Sequence, residues 1–267
     1  MLRAVEESPQ GASGALIEIS GAGKTYRTKG GDVRALDGID LSIADGEFVS
    51  IVGPSGCGKS TLLRILAGLD DCTDGEARME GRAISGPPPG VGVVFQSANL
   101  LPWLTVRQNV ELPIRVGGRH DRSTKAEELL SMTGLEGFGD RFPYELSGGM
   151  QQRAGICRAL IRNPQMLLMD EPFGALDALT RERMNLELQR IWQSSNKTVV
   201  LITHSISEAI FLADRVVVMS SRPGKILRDI PVSIPRPRAF ETILSNSEYT
   251  RLSRDIRKLL NAQGGVE

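Results

Sequence analysis

Nine residues, Gly53-Pro54-Ser55-Gly56-Cys57-Gly58-Lys59-Ser60-Thr61, constrain this chain more than any others. They match G-x-x-x-x-G-K-[ST], the loop whose bare backbone N–H groups cradle phosphates. The flanks have the required character. Phe48-Val49-Ser50-Ile51-Val52 is short, apolar and β-branched, as a buried strand should be. Leu62-Leu63-Arg64-Ile65-Leu66-Ala67 is apolar at helical spacing and is closed by Gly68. Strand, glycine loop and helix bring several N–H groups and the positive end of a helix dipole to one spot. That spot suits a triphosphate, with Lys59 reaching the β- and γ-phosphates and the Ser60 hydroxyl reaching Mg²⁺.

Bulk properties narrow the class. The 267 residues are 40% hydrophobic and 24% charged, ordinary values for a globular protein. Lys plus Arg and Asp plus Glu both number 32, so there is no basic excess of the kind that meets a phosphate backbone, and nucleic acid is not an expected partner. Three cysteines, Cys57, Cys72 and Cys157, have neither paired nor metal-like spacing and fit a reducing cytoplasm. Cys57 reads as a small loop residue whose alkylation would block the phosphate site. No apolar run approaches the roughly 18 residues that cross a bilayer. Residues 1–15 read as a flexible tail, since they lack the apolar core of a signal peptide.

Along the chain, strands are expected at Leu16–Ile19, Ile39–Ile43, Glu76–Glu80, Val91–Phe95, Gln165–Glu171, Thr198–Thr203, Arg215–Met219 and Lys225–Ile230. Helices are expected at 122–132, 150–162, 179–193, 207–213 and 248–261. The stretch from about residue 97 to 163 changes character and reads as a mostly helical subdomain inserted between strands. Leu100-Leu101-Pro102-Trp103-Leu104 groups large apolar side chains around a proline, which suits either core or a docking loop. Ile234-Pro235-Arg236-Pro237-Arg238 reads as an extended linker. His120, in Gly-Gly-Arg-His-Asp-Arg, reads as a solvated surface residue.

Other groups then fall into place around the phosphate loop. Leu146-Ser147-Gly148-Gly149 opens a helix at Met150-Gln151, a second anion-binding N-terminus or a plain serine cap. One nucleotide has little use for two cradles, so the second is best matched to a γ-phosphate held by another copy of the chain. The strand ending at Asp170-Glu171 offers one carboxylate to Mg²⁺ and the next to a water attacking the γ-phosphate. Gln96 and His204 both follow strands and so belong to the edge where open α/β sheets bind ligands, where Gln96 can touch Mg²⁺ or the attacking water and His204 can hydrogen-bond the γ-phosphate. Tyr26 is either an adenine-stacking ring or a half-buried strand aromatic, and composition leaves both open.

These motifs, in this order and at this spacing, resemble the ATP-binding cassette ATPases over nearly the whole chain. The resemblance implies an α/β fold: a P-loop NTPase core of RecA-like type, an antiparallel β subdomain and an inserted α-helical subdomain. It implies one ATPase domain over residues 16–235 and a short helical extension over 236–267. It implies a dimer with two sandwiched ATP molecules. Tyr26 matches the adenine-stacking aromatic; Ser147, Gly148, Gly149 and Gln151 match the signature that acts on the partner's nucleotide; Asp177 matches the end of the loop at the dimer interface. Gly174 stands where many members have serine. A narrower resemblance, carried by Leu101–Val106, Ser221-Arg222-Pro223-Gly224-Lys225 and Pro235–Arg238, is to ATPases of nitrate, sulfonate, taurine and bicarbonate importers. It implies a peripheral protein on the cytoplasmic face of the inner membrane. Such a subunit works with permease subunits reached through Leu101 and Trp103, and indirectly with a solute-binding protein. The rival readings are a lipid-trafficking or export cassette, a soluble non-transport cassette, and a P-loop kinase, which has no need of the Ser147 signature.

Overall fold

In a computed structural model the described residues are 15–117, 124–174, 176–195 and 197–262; the stretch before Ala15, and His120, lie outside them. The chain opens with β1 (Ala15–Thr28), β2 (Gly31–Ala44) and β3 (Phe48–Val52), then α1 (Lys59–Leu66), β4 (Asp74–Met79), β5 (Arg82–Ala83) and β6 (Val91–Val94). Three helices follow, α2 (Val106–Val116), α3 (Thr124–Met132) and α4 (Gly148–Leu160). The remainder is β7 (Met166–Asp170), α5 (Ala178–Ser195), β8 (Thr198–Ile202), α6 (Ile206–Leu212), β9 (Arg215–Met219), β10 (Ile226–Pro231), α7 (Phe240–Ile243) and α8 (Ser247–Asn261).

Two sheets result. The larger runs β10-β9-β3-β8-β7-β6, parallel except for the antiparallel edge strand β10. β3, β7 and β8 are buried at every position, as strands covered on both faces must be. Alternate side chains of one strand go to different cores. Phe48, Val52, Leu167, Met169, Val199 and Leu201 pack with α4, α6 and α8. Val49, Ile51, Met166, Leu168, Val200 and Ile202 pack with α1 and the smaller sheet. That smaller sheet, β2-β1-β4-β5, is antiparallel. Its Ile39, Leu41 and Ile43 turn inward while Asp40, Ser42 and Ala44 face water.

Several elements depart from the expected bounds. β1 continues from Ile19 to Thr28, because register shifts let a polar stretch keep pairing with β2 out to Thr28. α2 is an element not foreseen. Its interior Pro113 argues against helix, but a reciprocal Thr105–Gln108 capping box starts it. The segment 234–238 is no free linker. Arg238 is buried and donates to the carbonyls of Ile210, Phe211, Ala213 and Ile234. α8 packs on α6 and β9 through Leu252, Ile256 and Leu260, one residue per helical turn.

Candidate functional site

The phosphate loop sits between the C-terminal end of β3 and α1. Gly58 caps α1 with φ at +104°, and a Cβ there would lie 2.7 Å from the Ala35 carbonyl oxygen. Only glycine fits, and its absent side chain lets the loop turn directly into the helix. Lys59 is buried; its Nζ donates to Gly53 O at 2.8 Å and Pro54 O at 3.0 Å. These are neutral acceptors that an anion can replace. Cys57 lies beneath the loop, 1% exposed, and burial pushes its thiol up. This agrees with the reading of Cys57 as a small loop residue: a buried thiol held protonated is a poor nucleophile.

An open cleft of about 860 Å³ runs over the loop. Its walls include Ser55, Gly56, Gly58, Lys59, Ser60 and Thr61, with Tyr26 from β1. Gln96, Glu171, His204 and Arg222 line it too, and Thr28 with an apolar wall of Val33 and Ala35 completes it. Tyr26 is fixed by its hydroxyl, which donates to Asp70 Oδ2 at 2.7 Å, while Lys24 Nζ lies 5.2 Å from its ring centroid. Asp70 in turn pairs with Lys24.

Strand ends supply the acids. Asp170 closes β7 and is buried; desolvation raises its pKa, and a Ser60 hydrogen bond works against that rise. A buried carboxylate beside a hydroxyl is a hard-oxygen pair suited to Mg²⁺ shared with phosphate oxygens. Among the described residues no three of His, Cys, Asp or Glu form a metal cage. Glu171 adopts φ +45°, the left-handed region, with its N–H donating to Ile202 O. The backbone kink turns its carboxylate away from the strand line. Gln96 Nε2 donates to Glu171 Oε2 at 3.2 Å, and His204 Nδ1 lies 3.3 Å from the same oxygen. Two residues foreseen at the sheet edge, Gln96 and His204, thus converge on one oxygen of Glu171. Gln96 is joined to Glu171 rather than to Asp170.

Ser147 caps α4, accepting from Met150 N at 3.3 Å, and is exposed with Gly148. Neither lines the cleft of its own chain. Gln151 donates its amide to Pro143 O and Leu146 O, which braces the loop that carries Ser147. Asp177 is exposed and accepts from Thr180 N at the start of α5. Trp103 is 69% exposed. Its loop is anchored by buried Asn109, which accepts from Leu101 N and donates to Leu101 O and Leu104 O.

Four residues escaped sequence reasoning. Asn109 is one. Arg222 enters the cleft from the turn after β9. Arg181 donates to Phe173 O and Leu176 O and so fixes the loop before Asp177. Glu208 is 4% exposed behind Glu171 and His204, with Oε1 unpartnered. Burial raises its pKa, against a hydrogen bond from Thr203 and the charge of Arg181. The only linear signal for any of them was the distinctive Ser221–Lys225 turn.

A family model described as ABC transporter matches residues 36–174. The chain is similar to the nitrate import ATP-binding protein NrtD of Synechocystis sp., 44% identical over 255 residues, covering 92% of this chain and 96% of the relative. It is 47% identical over 240 residues to the taurine import ATP-binding protein TauB of Rhizobium johnstonii, covering 87% and 91%. Among solved structures, the ATP-binding cassette MJ0796 in a dimeric post-hydrolysis state bound to ADP and Pi matches with a TM-score of 0.74 and 36% identity, over 82% of this chain and all of that one.

Proposed function

The chain belongs to the ABC transporter family and is an ATPase, and we propose that it is the ATP-hydrolysing subunit of an importer for a small anionic solute such as a sulfonate, taurine or nitrate. The names of its nitrate and taurine relatives support the importer reading and the solute class. Among the described residues no helix is long and apolar enough to cross a membrane. By likeness to the import ATP-binding proteins it resembles, the subunit would sit peripherally on the cytoplasmic face of the inner membrane. It would drive a separate permease fed by a solute-binding protein.

The observation that carries the reading is the convergence of Gln96 and His204 on Glu171 beside Lys59, Ser60 and Asp170. ATP lies with its base on Tyr26 and its phosphates on the amides of residues 53–61. Lys59 exchanges the loop carbonyls for β- and γ-phosphate oxygens. Ser60 and Asp170, with the side-chain oxygen of Gln96, would hold Mg²⁺, which when bound neutralises charge on the β- and γ-phosphates. Glu171 takes the proton of the attacking water. Gln96 and His204 fix the orientation of its carboxylate, so little reorganisation is needed when the water reacts. An imidazole that donates through Nδ1 to Glu171 keeps Nε2 as acceptor when neutral. It donates to a phosphate oxygen as well only when protonated. The second copy supplies Ser147 and Gly149 to the γ-phosphate, with the loop ending at Asp177 in the interface. The solved dimeric relative bound to ADP and Pi supports that assembly.

Glu171→Gln tests the base. The variant should bind MgATP normally and hydrolyse it slower by about 10²–10⁴-fold, read from single-turnover release of phosphate. Turnover close to wild type would remove Glu171 from that role.

A further inference from the structure

The turn between β9 and β10 is built against the phosphate loop. Gly224 N donates to Ala35 O at 2.9 Å, and Asp37 N donates to Gly224 O at 3.0 Å. A Cβ on Gly224 would lie 2.1 Å from the Cys57 carbonyl oxygen, so the two backbones touch and residue 224 must be glycine. Lys225 Nζ pairs with Asp37 at 2.8 Å. Ser220 Oγ closes the turn from inside, donating to Ser221 O and Pro223 O and accepting from Lys225 N. A turn held at both ends and at its centre has little freedom.

At its tip stands Arg222. Its Nε donates to Gly56 O at 3.2 Å, and it lines the nucleotide cleft with Lys59 and Ser60. One bond to a neutral carbonyl engages a single donor of a group that has five. The charge itself meets no carboxylate in that bond. Glu171, which lines the same cleft, and Asp170 beside Ser60 both bring negative charge towards a site that must take a polyanion.

We propose that Arg222 is a nucleotide-binding residue that reads the polyphosphate of ATP, its guanidinium aimed by the pinned turn and steadied on Gly56. This rests on the reading of the cleft as an ATP site. The guanidinium fork matches phosphate oxygens bidentately. The contact therefore selects for the number of phosphates, a property that neither Tyr26 nor the apolar wall provides.

The test is calorimetric titration of the full chain with MgATP, MgADP and AMP, for wild type, Arg222→Ala, Arg222→Lys, Arg222→Gln and Lys59→Ala. Arg222→Ala should weaken MgATP by about tenfold or more, MgADP by less, and AMP not at all, with Arg222→Lys recovering part of the loss. Equal weakening of all three nucleotides would make Arg222 a brace for the loop and overturn the proposal. So would wild-type affinities for all three with only ATP-driven dimerisation lost, which would give the guanidinium to the second copy. Should Arg222→Ala fail to fold, Arg222→Gln keeps a donor for Gly56 O without the charge. It must show the same ATP-selective loss, and wild-type affinity in it would refute the phosphate contact. Lys59→Ala separates the two readings. If it binds ATP as well as wild type, the cleft is not the ATP site; if it loses ATP while Arg222→Ala does not, only the role of Arg222 falls.

Discussion

Glu171 owes its position to a single backbone angle and two neighbours. The left-handed φ lets adjacent residues, Asp170 and Glu171, do different work: one stays in line with β7 against Ser60, the other swings to Gln96 and His204. Behind them Glu208 is a liability that folding tolerates. Burial raises its pKa above the unfolded value, so the fold favours its protonated form. Below the unfolded carboxylate range both states hold the proton; as pH rises through the higher folded pKa, stability is lost. Glu208→Gln keeps the shape and removes the charge. Its melting temperature should gain progressively on wild type as pH rises above the ordinary carboxylate range, and a difference independent of pH would contradict the burial effect. Lys59, Ser60 and the Asp170-Glu171 pair were legible in the sequence, because each acts where its own strand or loop ends. Glu208 and Arg222 were not. Arg222 meets Gly56 across 166 positions of sequence, and no local pattern encodes that contact.

At the scale of elements, α6 joins the site to the C-terminal segment. Its first turn is capped by Ser205, next to His204, and carries Glu208. Its last carbonyls are all met by arginines from beyond β10: Arg238 donates to those of Ile210, Phe211 and Ala213, and Arg236 to that of Leu212 while pairing with Asp214. Cations at a helix C-terminus also meet the negative end of its dipole. Burial lowers Arg238 to about 10, with the neighbouring Arg236 adding to the effect. Arg238→Met would leave several buried carbonyls without donors and should lower unfolding free energy by at least about 2 kcal/mol in denaturant titration. A loss below about 0.5 kcal/mol, the range of an ordinary surface change, would show the clamp to be ornamental. The proline-flanked arginines looked like linker because a charged, extended stretch ordinarily is solvent-exposed; here the charge is drawn inward by unsatisfied carbonyls. The Trp103 loop has the opposite design, an apolar tip held out on a buried polar anchor. Trp103→Ala should leave basal ATP hydrolysis intact and uncouple it from solute uptake in reconstituted vesicles. Normal uptake would remove Trp103 from the permease contact. Asn109→Ala, which frees the loop from below, should produce the same uncoupling with Trp103 still present.

The whole molecule is built on one large sheet between two cores. Strands β3, β7 and β8 carry alternate side chains into both. The phosphate loop, Glu171 and His204 sit at the strand ends where those cores meet, so the site is held from two sides. Ser147 and Gly148 stand apart on the exposed start of α4, outside their own chain's cleft. The central claim proposed for this arrangement is that a nucleotide on one copy is completed by the Ser147 loop of another. Sedimentation of the Glu171→Gln variant with and without MgATP, alone and carrying Ser147→Arg, tests it most directly. The expected result is a dimer with MgATP, a monomer without it, and a monomer in both conditions once Ser147 is replaced. A monomer under saturating MgATP, even with permease subunits present, or a dimer indifferent to Ser147→Arg, would contradict it.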